Sequence, residues 1–282
     1  MKRVLKSLVF ILSCAGVVAA QNVCSRFRAQ PGRCNLNAAP ADQAKCLLRP
    51  VKKFGNLGEP LPELPAPFDM LMGERTYSAG IEEVKHLLSI YRISEADVGG
   101  SLSIPLTKAK YFVIHDTSDF LEASDFPADI DSKSASLNNL SRRVAKKVAH
   151  VYVNRVGQSA TAVVFESPTP PSGTKLGRCN REPRRAFLHI ENIQPRIRDR
   201  SVRFHNDAIA PEPGFSERQL ERLAILYVVA SARSGKWLIP AHHSPLDLGF
   251  PDRHDDLQNF DLEAWAKQVQ FLINMLETMV ID

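Results

Sequence analysis

The chain has 282 residues, of which 44% are hydrophobic and 24% charged, with a formal net charge of +5. That balance excludes a disordered, collagenous or fibrous protein, and the length suffices for one catalytic domain with a smaller accessory region. The basic surplus favours approach to an anionic polymer, but wall glycan, membrane surface and nucleic acid all qualify, so charge alone selects no partner.

Residues 1–20 open with Lys2, Arg3 and Lys6, continue as an apolar stretch from Leu8 to Val18 and end on Val18-Ala19-Ala20, the pattern of a secretory signal. A membrane span needs about 18 unbroken apolar residues, whereas Ser13 interrupts this stretch and Gln21 and Asn22 end it. Lipidation at Cys14 fits poorly with Leu12 and the short apolar run before it. The expectation is a periplasmic or secreted protein with no stable membrane span once the signal is removed. Cys24, Cys34, Cys46 and Cys179 then remain, an even number suited to one or two disulfides in an oxidising compartment. With no Cys-x-x-Cys pair among them, a thiolate zinc site is not expected, and the pairing is open.

Residues 21–105 read as a cysteine- and proline-containing accessory region. The run from Gly58 to Pro67 predicts neither regular helix nor central strand. Ile81, Val84, Leu87, Leu88 and Tyr91 share one helical face, so a helix is predicted over 81–91, before Gly99-Gly100 and Pro105 break the chain. A boundary near Leu106 opens a second region, 106–282. There Tyr111 to Ile114 predicts a buried strand ending at His115, Leu137 to Lys147 a helix, and His150 to Val156 a strand that turns at Gly157 into a partner over Thr161–Phe165. A further strand is predicted over Ala186–Ile190. Ser216-x-x-Gln219 forms a capping box ahead of Leu220, Leu223, Ala224, Tyr227 and Val228, and a last amphipathic helix carries Leu262, Trp265, Val269, Leu272 and Leu276. Strands alternating with helices indicate an α/β fold, a central mixed sheet flanked by helices.

Chemistry-bearing side chains stand next to strand ends, at His115 and Glu191, and in the loop between the two C-terminal helices, at His243 and Asp256. Two imidazoles and one carboxylate leave a fourth tetrahedral position for water, the open coordination of a catalytic zinc. The competing readings are plainer: a His after a strand is more often a surface or satisfied residue than a ligand, and a strand Glu commonly pairs with a neighbouring Arg, here Arg184 or Arg185. Spacing alone does not bring the four together.

Their surroundings resemble, in order, the motifs of the zinc-dependent N-acetylmuramoyl-L-alanine amidases, relatives of the peptidoglycan recognition proteins, from about Lys110 to Phe260. YFVIHDTSDF resembles the first strand, whose His binds zinc, which implies this role for His115 and aligns Thr117 with the motif's Thr. AHVYVNRVGQ resembles the hairpin, and FLHIENIQ the Ile-Glu strand whose carboxylate activates water, here Glu191. IPAHHSPLD and RHDDLQNFD resemble the closing section that gives the remaining ligands, here His243 and Asp256. His254 falls where the family often has a Lys that steadies the oxyanion. The pattern departs at Asp116, at Ala241-His242, at Leu257 and in a longer loop between His243 and Asp256, so His242 and Asp255 stay as alternative ligands.

The resemblance implies Zn2+, a peptidoglycan or muropeptide substrate, no nucleic acid, and hydrolysis of the amide between N-acetylmuramic acid and L-alanine. A binding protein of the same fold without turnover is the alternative. A remoter one is a non-haem iron oxygenase built on His205-x-Asp207 with His242 or His243 and Arg253, which the long helix between them disfavours. A serine acyl-transfer pair, Ser172-x-x-Lys175, lies in a Pro/Gly loop with no helix start expected; no Gly-x-Ser-x-Gly elbow or His-Glu-x-x-His helix occurs. An inhibitor or immunity partner is left unidentified.

Overall fold

The computed structural model describes residues 33–73, 80–178, 184–201, 208–250 and 254–279. The expected secretory signal, Cys24, Cys179, His205, Asp207 and Arg253 lie outside them. Among the described residues Cys34 and Cys46 form a disulfide, and no helix is long and apolar enough to cross a membrane.

The centre is a five-stranded sheet of β1 (Tyr111–Asp116), β3 (Val151–Val153), β4 (Ser159–Thr161), β5 (Phe187–Asn192) and β8 (Ile239–His242), in the order β4-β3-β5-β1-β8. Only the β3/β4 hairpin is antiparallel; β3, β5, β1 and β8 run parallel. A smaller sheet of β2 (Asp119–Phe120), β6 (Pro195–Arg198) and β7 (Ala208–Ile209) lies beyond the ends of β1 and β5. The α/β expectation of a mixed sheet flanked by helices therefore holds.

Eight helices accompany the sheets among the described residues: α1 (Pro40–Leu47), α2 (Ala66–Met72), α3 (Ile81–Ile90), α4 (Ser141–Val144), α5 (Lys175–Arg178), α6 (Glu217–Ser234), α7 (His243–Leu246) and α8 (Leu262–Met279). The α6 capping box is formed as expected: Gln219 N donates to Ser216 Oγ at 3.1 Å and Ser216 N to Gln219 Oε1 at 3.2 Å. Gly235, in the left-handed region at φ 66°, ends the helix. α6 and α8 pack on each other, placing Tyr227 and Trp265 against Phe112 of β1.

Several expected elements shift, each for a local reason. The predicted 137–147 helix is reduced to a 3-10 turn and the single turn of α4. Asn138 Nδ2 donates to the carbonyls of Ile130 and Ser132, both at 2.8 Å, and Asn139 Oδ1 accepts from Ser141 N at 3.0 Å, so side chains take the bonds that a helix would make. The hairpin partner of β3 begins at Ser159 rather than Thr161, because Asn154 Oδ1 accepts from Gln158 N at 2.9 Å and Gly157, at φ 79°, closes the turn early. β8 was not expected as a strand; Pro240 lacks an N–H, which an edge strand tolerates. At the end of the proline run, Pro67 sits in the first turn of α2, where a missing N–H costs no helical bond. α5 starts at Lys175, so the loop around Ser172 does contain a helix start.

The accessory segment shares the main core. Ala44, Leu47, Phe68, Val84 and Leu87 belong to the same buried cluster as Phe112, Tyr227 and Trp265. α1 packs on β8, and the fully buried Phe68 ring lies 4.7 Å from Trp265 and 5.8 Å from Tyr227. Replacing Phe68 with Ala should cost about 3–5 kcal/mol. Because the ring belongs to both segments, that loss should lower one common unfolding transition; a calorimetric scan in which the variant splits into two transitions would argue for separately folding regions.

Candidate metal centre

Strand register builds the site. In β1 and β5, His115 lies opposite Glu191, and parallel partners at one level point to one face. In β8, His242 pairs with Ile114, the residue before His115, so His242 faces the other way and His243, one residue on, returns to the face of His115. The alternation decides between the two adjacent histidines. His242 turns to the accessory segment, with Nδ1 3.2 Å from the Arg49 carbonyl and its ring edge-on to Phe260. It is not a ligand.

The loop after α7 brings in Asp256. Its Oδ2 lies 2.8 Å from His243 Nδ1 and 3.4 Å from His115 Nδ1, and one ligand atom from each of His115, His243 and Asp256 falls within 4.8 Å of the others. All three side chains are buried. Asp255 turns away: it accepts from Gln258 Nε2 at 2.9 Å and sits 3.6 Å from Arg196 Nη1.

These three could hold a metal ion, and two further features fit one. Asp256 Oδ1 is buried with no hydrogen-bond partner among the described residues, a costly state for a carboxylate unless a cation serves it. The nitrogen of each imidazole that faces away from Asp256 is also engaged: His115 Nε2 lies 2.9 Å from His189 Nδ1, and His243 Nε2 lies 2.9 Å from Asp247 Oδ2. Metal-bound histidines are generally held in this way, which fixes tautomer and ring orientation. Asp247, fully buried, also accepts from the backbone N–H of Lys175 at 2.9 Å and of Leu176 at 3.2 Å, so it ties α7 to the start of α5.

The electrostatics are sharply divided. Burial, reinforced by neighbouring His243, lowers His115 to about 4, which leaves it neutral and ready to donate a lone pair. Burial also opposes charge on His243, but Asp256 and Asp247 overcome it and raise this residue to about 10. Asp256, against the cost of its own burial, is held well below the usual carboxylate range by His243 and His115. Glu191 goes the other way: burial, then Asp256 and Asp116, push it well above the ordinary range. Among the described residues its buried Oε2 has no hydrogen-bond partner, and no ion pair joins it to Arg184 or Arg185. Burial raises Asp116 to about 6, against the pull of Arg196, whose Nη2 lies 2.7 Å from Asp116 Oδ2.

A cavity of about 320 Å³ opens onto these groups, lined by His115, Asp116, Glu191, His243, His254 and Asp256 together with Lys147, Val148, Ser172 and Gly173. That size lies at the lower end for small-ligand sites, about 300–1,000 Å³. His254 is exposed at the rim, its ring 5.2 Å from that of His243. All five sequence-proposed site residues thus surround one opening.

Sequence reasoning missed His189 and Asp247. His189 lies two residues before Glu191 on one strand, and period-two spacing could have placed it on the same face. Gly173 must stay small beside it, since a Cβ there would come within 2.7 Å of His189 Nδ1. Behind them His150 closes the row: His189 N donates to its Nδ1 at 3.0 Å, and its ring stacks on His189 at 5.7 Å.

Burial, and then His115, lower His150 to about 3 from an ordinary 6.5. The folded chain therefore refuses a proton that the unfolded chain accepts. Its contribution to stability is complete above 6.5 and is lost as pH falls from there towards 3, by up to about 1.4 kcal/mol per pH unit. With chelator present, His150→Gln should show a shallower acid loss of stability in urea titrations than wild type. Equal slopes would mean that His150 does not resist protonation.

Neither protein-family models, nor curated proteins, nor solved structures match this chain.

Proposed function

We propose that the protein is an exported, zinc-dependent N-acetylmuramoyl-L-alanine amidase, which hydrolyses the amide joining the muramic acid lactyl group to the stem peptide. The carrying observation is the meeting of His115, His243 and Asp256 with Glu191 beside His115 at the same strand level. Two nitrogens and one carboxylate oxygen are a donor set that suits zinc with an open position. A zinc ion there would supply Lewis acidity, polarising the scissile carbonyl and acidifying the attacking water.

The chain's own residues do the rest. Glu191, raised in proton affinity by burial and two neighbouring carboxylates, takes the proton from water and passes it to the departing alanine nitrogen. His254, at the rim, donates to the developing oxyanion. Asp247 and His189 hold the two imidazoles in place. The Cys34–Cys46 disulfide supports an oxidising compartment outside the cytoplasm.

The test incubates purified protein with peptidoglycan and reads soluble products by mass spectrometry. Stem peptides with a free L-alanine amino terminus should appear, vanish with chelator and return with added zinc. Binding to the wall without release of peptides would instead identify a recognition protein, and release that ignores chelator would reject the metal.

A further inference from the structure

An exposed wall of the cavity carries charge that hydrolysis does not use. Lys147 and Val148 line this wall, and both are exposed, Val148 at 53%. They end a basic stretch of Arg142, Arg143, Lys146 and Lys147. Arg143 is taken by Asp119, whereas Arg142, Lys146 and Lys147 form no ion pair among the described residues. Lys147 also has a left-handed backbone, φ 50°, uncommon for a residue with a side chain. The turn is fixed on both sides, by the bond from Lys146 N to the Arg143 carbonyl at 3.0 Å and by β3, entered at Val151. Non-glycine residues in that region carry a conformational cost and concentrate at ligand-binding positions.

Carboxylic groups form another part of the lining. Glu191 and Asp256 lie there with Asp116, whose carboxylate is already engaged by Arg196 and by Ser118 N and Oγ, at 2.8 and 2.7 Å. A ligand carboxylate is drawn to the cation on the exposed wall, which orients a molecule with a neutral amide at one end and a negative charge at the other.

Resting on the amidase reading, we propose that Lys147, with Val148 beside it, is the specificity-determining subsite for a free carboxylate on the peptide half of the substrate. Val148 offers apolar surface to a small side chain such as the alanine methyl, and Lys147 pairs with the acid group beyond it. Arg142 and Lys146 add long-range attraction that salt screens.

Calorimetry on the full chain, zinc-loaded and carrying Glu191→Gln to suppress turnover, tests this. The probes are N-acetylmuramoyl-L-alanyl-D-glutamate and the same compound with both carboxylates converted to carboxamides. The diacid should bind about fivefold more tightly, the scale of a partly exposed ion pair. Adding Lys147→Gln should abolish the preference, while Lys146→Gln, which lines no wall of the cavity, should keep it and weaken only its salt dependence. A second pair, acetyl-L-alanyl-D-glutamate and its diamide, separates two failures. If only this pair binds and prefers the acid, the subsite stands and the muramic acid substrate falls. Absence of an acid preference in both pairs, or a preference that survives Lys147→Gln, overturns the subsite.

Discussion

Glu191→Gln should lower the rate of stem-peptide release by about 100- to 10,000-fold, the range for removing a general acid–base group, without changing metal content. The substitution keeps the shape of the side chain and its place on β5 opposite His115. It removes only the ability to take and return a proton. Metal content should be spared because His115, His243 and Asp256 could hold a metal without it. Stability should hold or rise, since burial, Asp256 and Asp116 all disfavour a charge at this position and the amide carries none. Product release by mass spectrometry, metal analysis and thermal unfolding on one preparation separate these effects. A variant that keeps its metal and more than about a tenth of wild-type turnover would remove Glu191 from the proton path.

What could be read from the sequence followed the range of the forces involved. Ser216 with Gln219, and the apolar stripe from Leu262 to Leu276, are decided within a few residues, and both helices form there. The stretch from Leu137 to Lys147 has helical spacing, but Asn138 is claimed by the carbonyls of Ile130 and Ser132 and by Arg155 N, which donates to its Oδ1 at 3.0 Å; no local pattern records those partners. Residue type and position single out His115, His243 and Asp256, but only the resemblance implies that they converge, because they meet through the fold and not through local sequence. The register also settles what the dipeptide His242-His243 leaves open, since alternation along β8 sends one ring to Arg49 and the other to Asp256. Asp247 escaped notice because its role depends on a second distant contact, the backbone of Lys175 and Leu176.

Asp247→Asn should weaken metal binding by about 10- to 100-fold, the usual effect of losing the partner that holds a metal-bound histidine. Two consequences oppose each other. The carboxylate fixes the His243 ring and makes its free nitrogen a better donor, and both effects help the metal. Together with Asp256 it also raises His243 to about 10 in the metal-free chain, so near neutrality a proton competes for the same nitrogen. The amide reduces that competition but loses the orientation, and only the metal needs the orientation. The loss of affinity should therefore grow with pH: smallest near neutrality, where the proton handicaps wild type most, and largest as pH approaches the proton affinity of His243. Titration with cobalt(II), followed by its visible absorption at several pH values, measures this without turnover. Asp247→Ala, which also strips the acceptor from Lys175 N and Leu176 N, should add a fall in stability that the amide largely avoids through its own carbonyl oxygen. An unchanged cobalt affinity in a folded Asp247→Asn protein would mean that His243 needs no partner behind it, or that it is not a ligand; metal content of His243→Ala decides which.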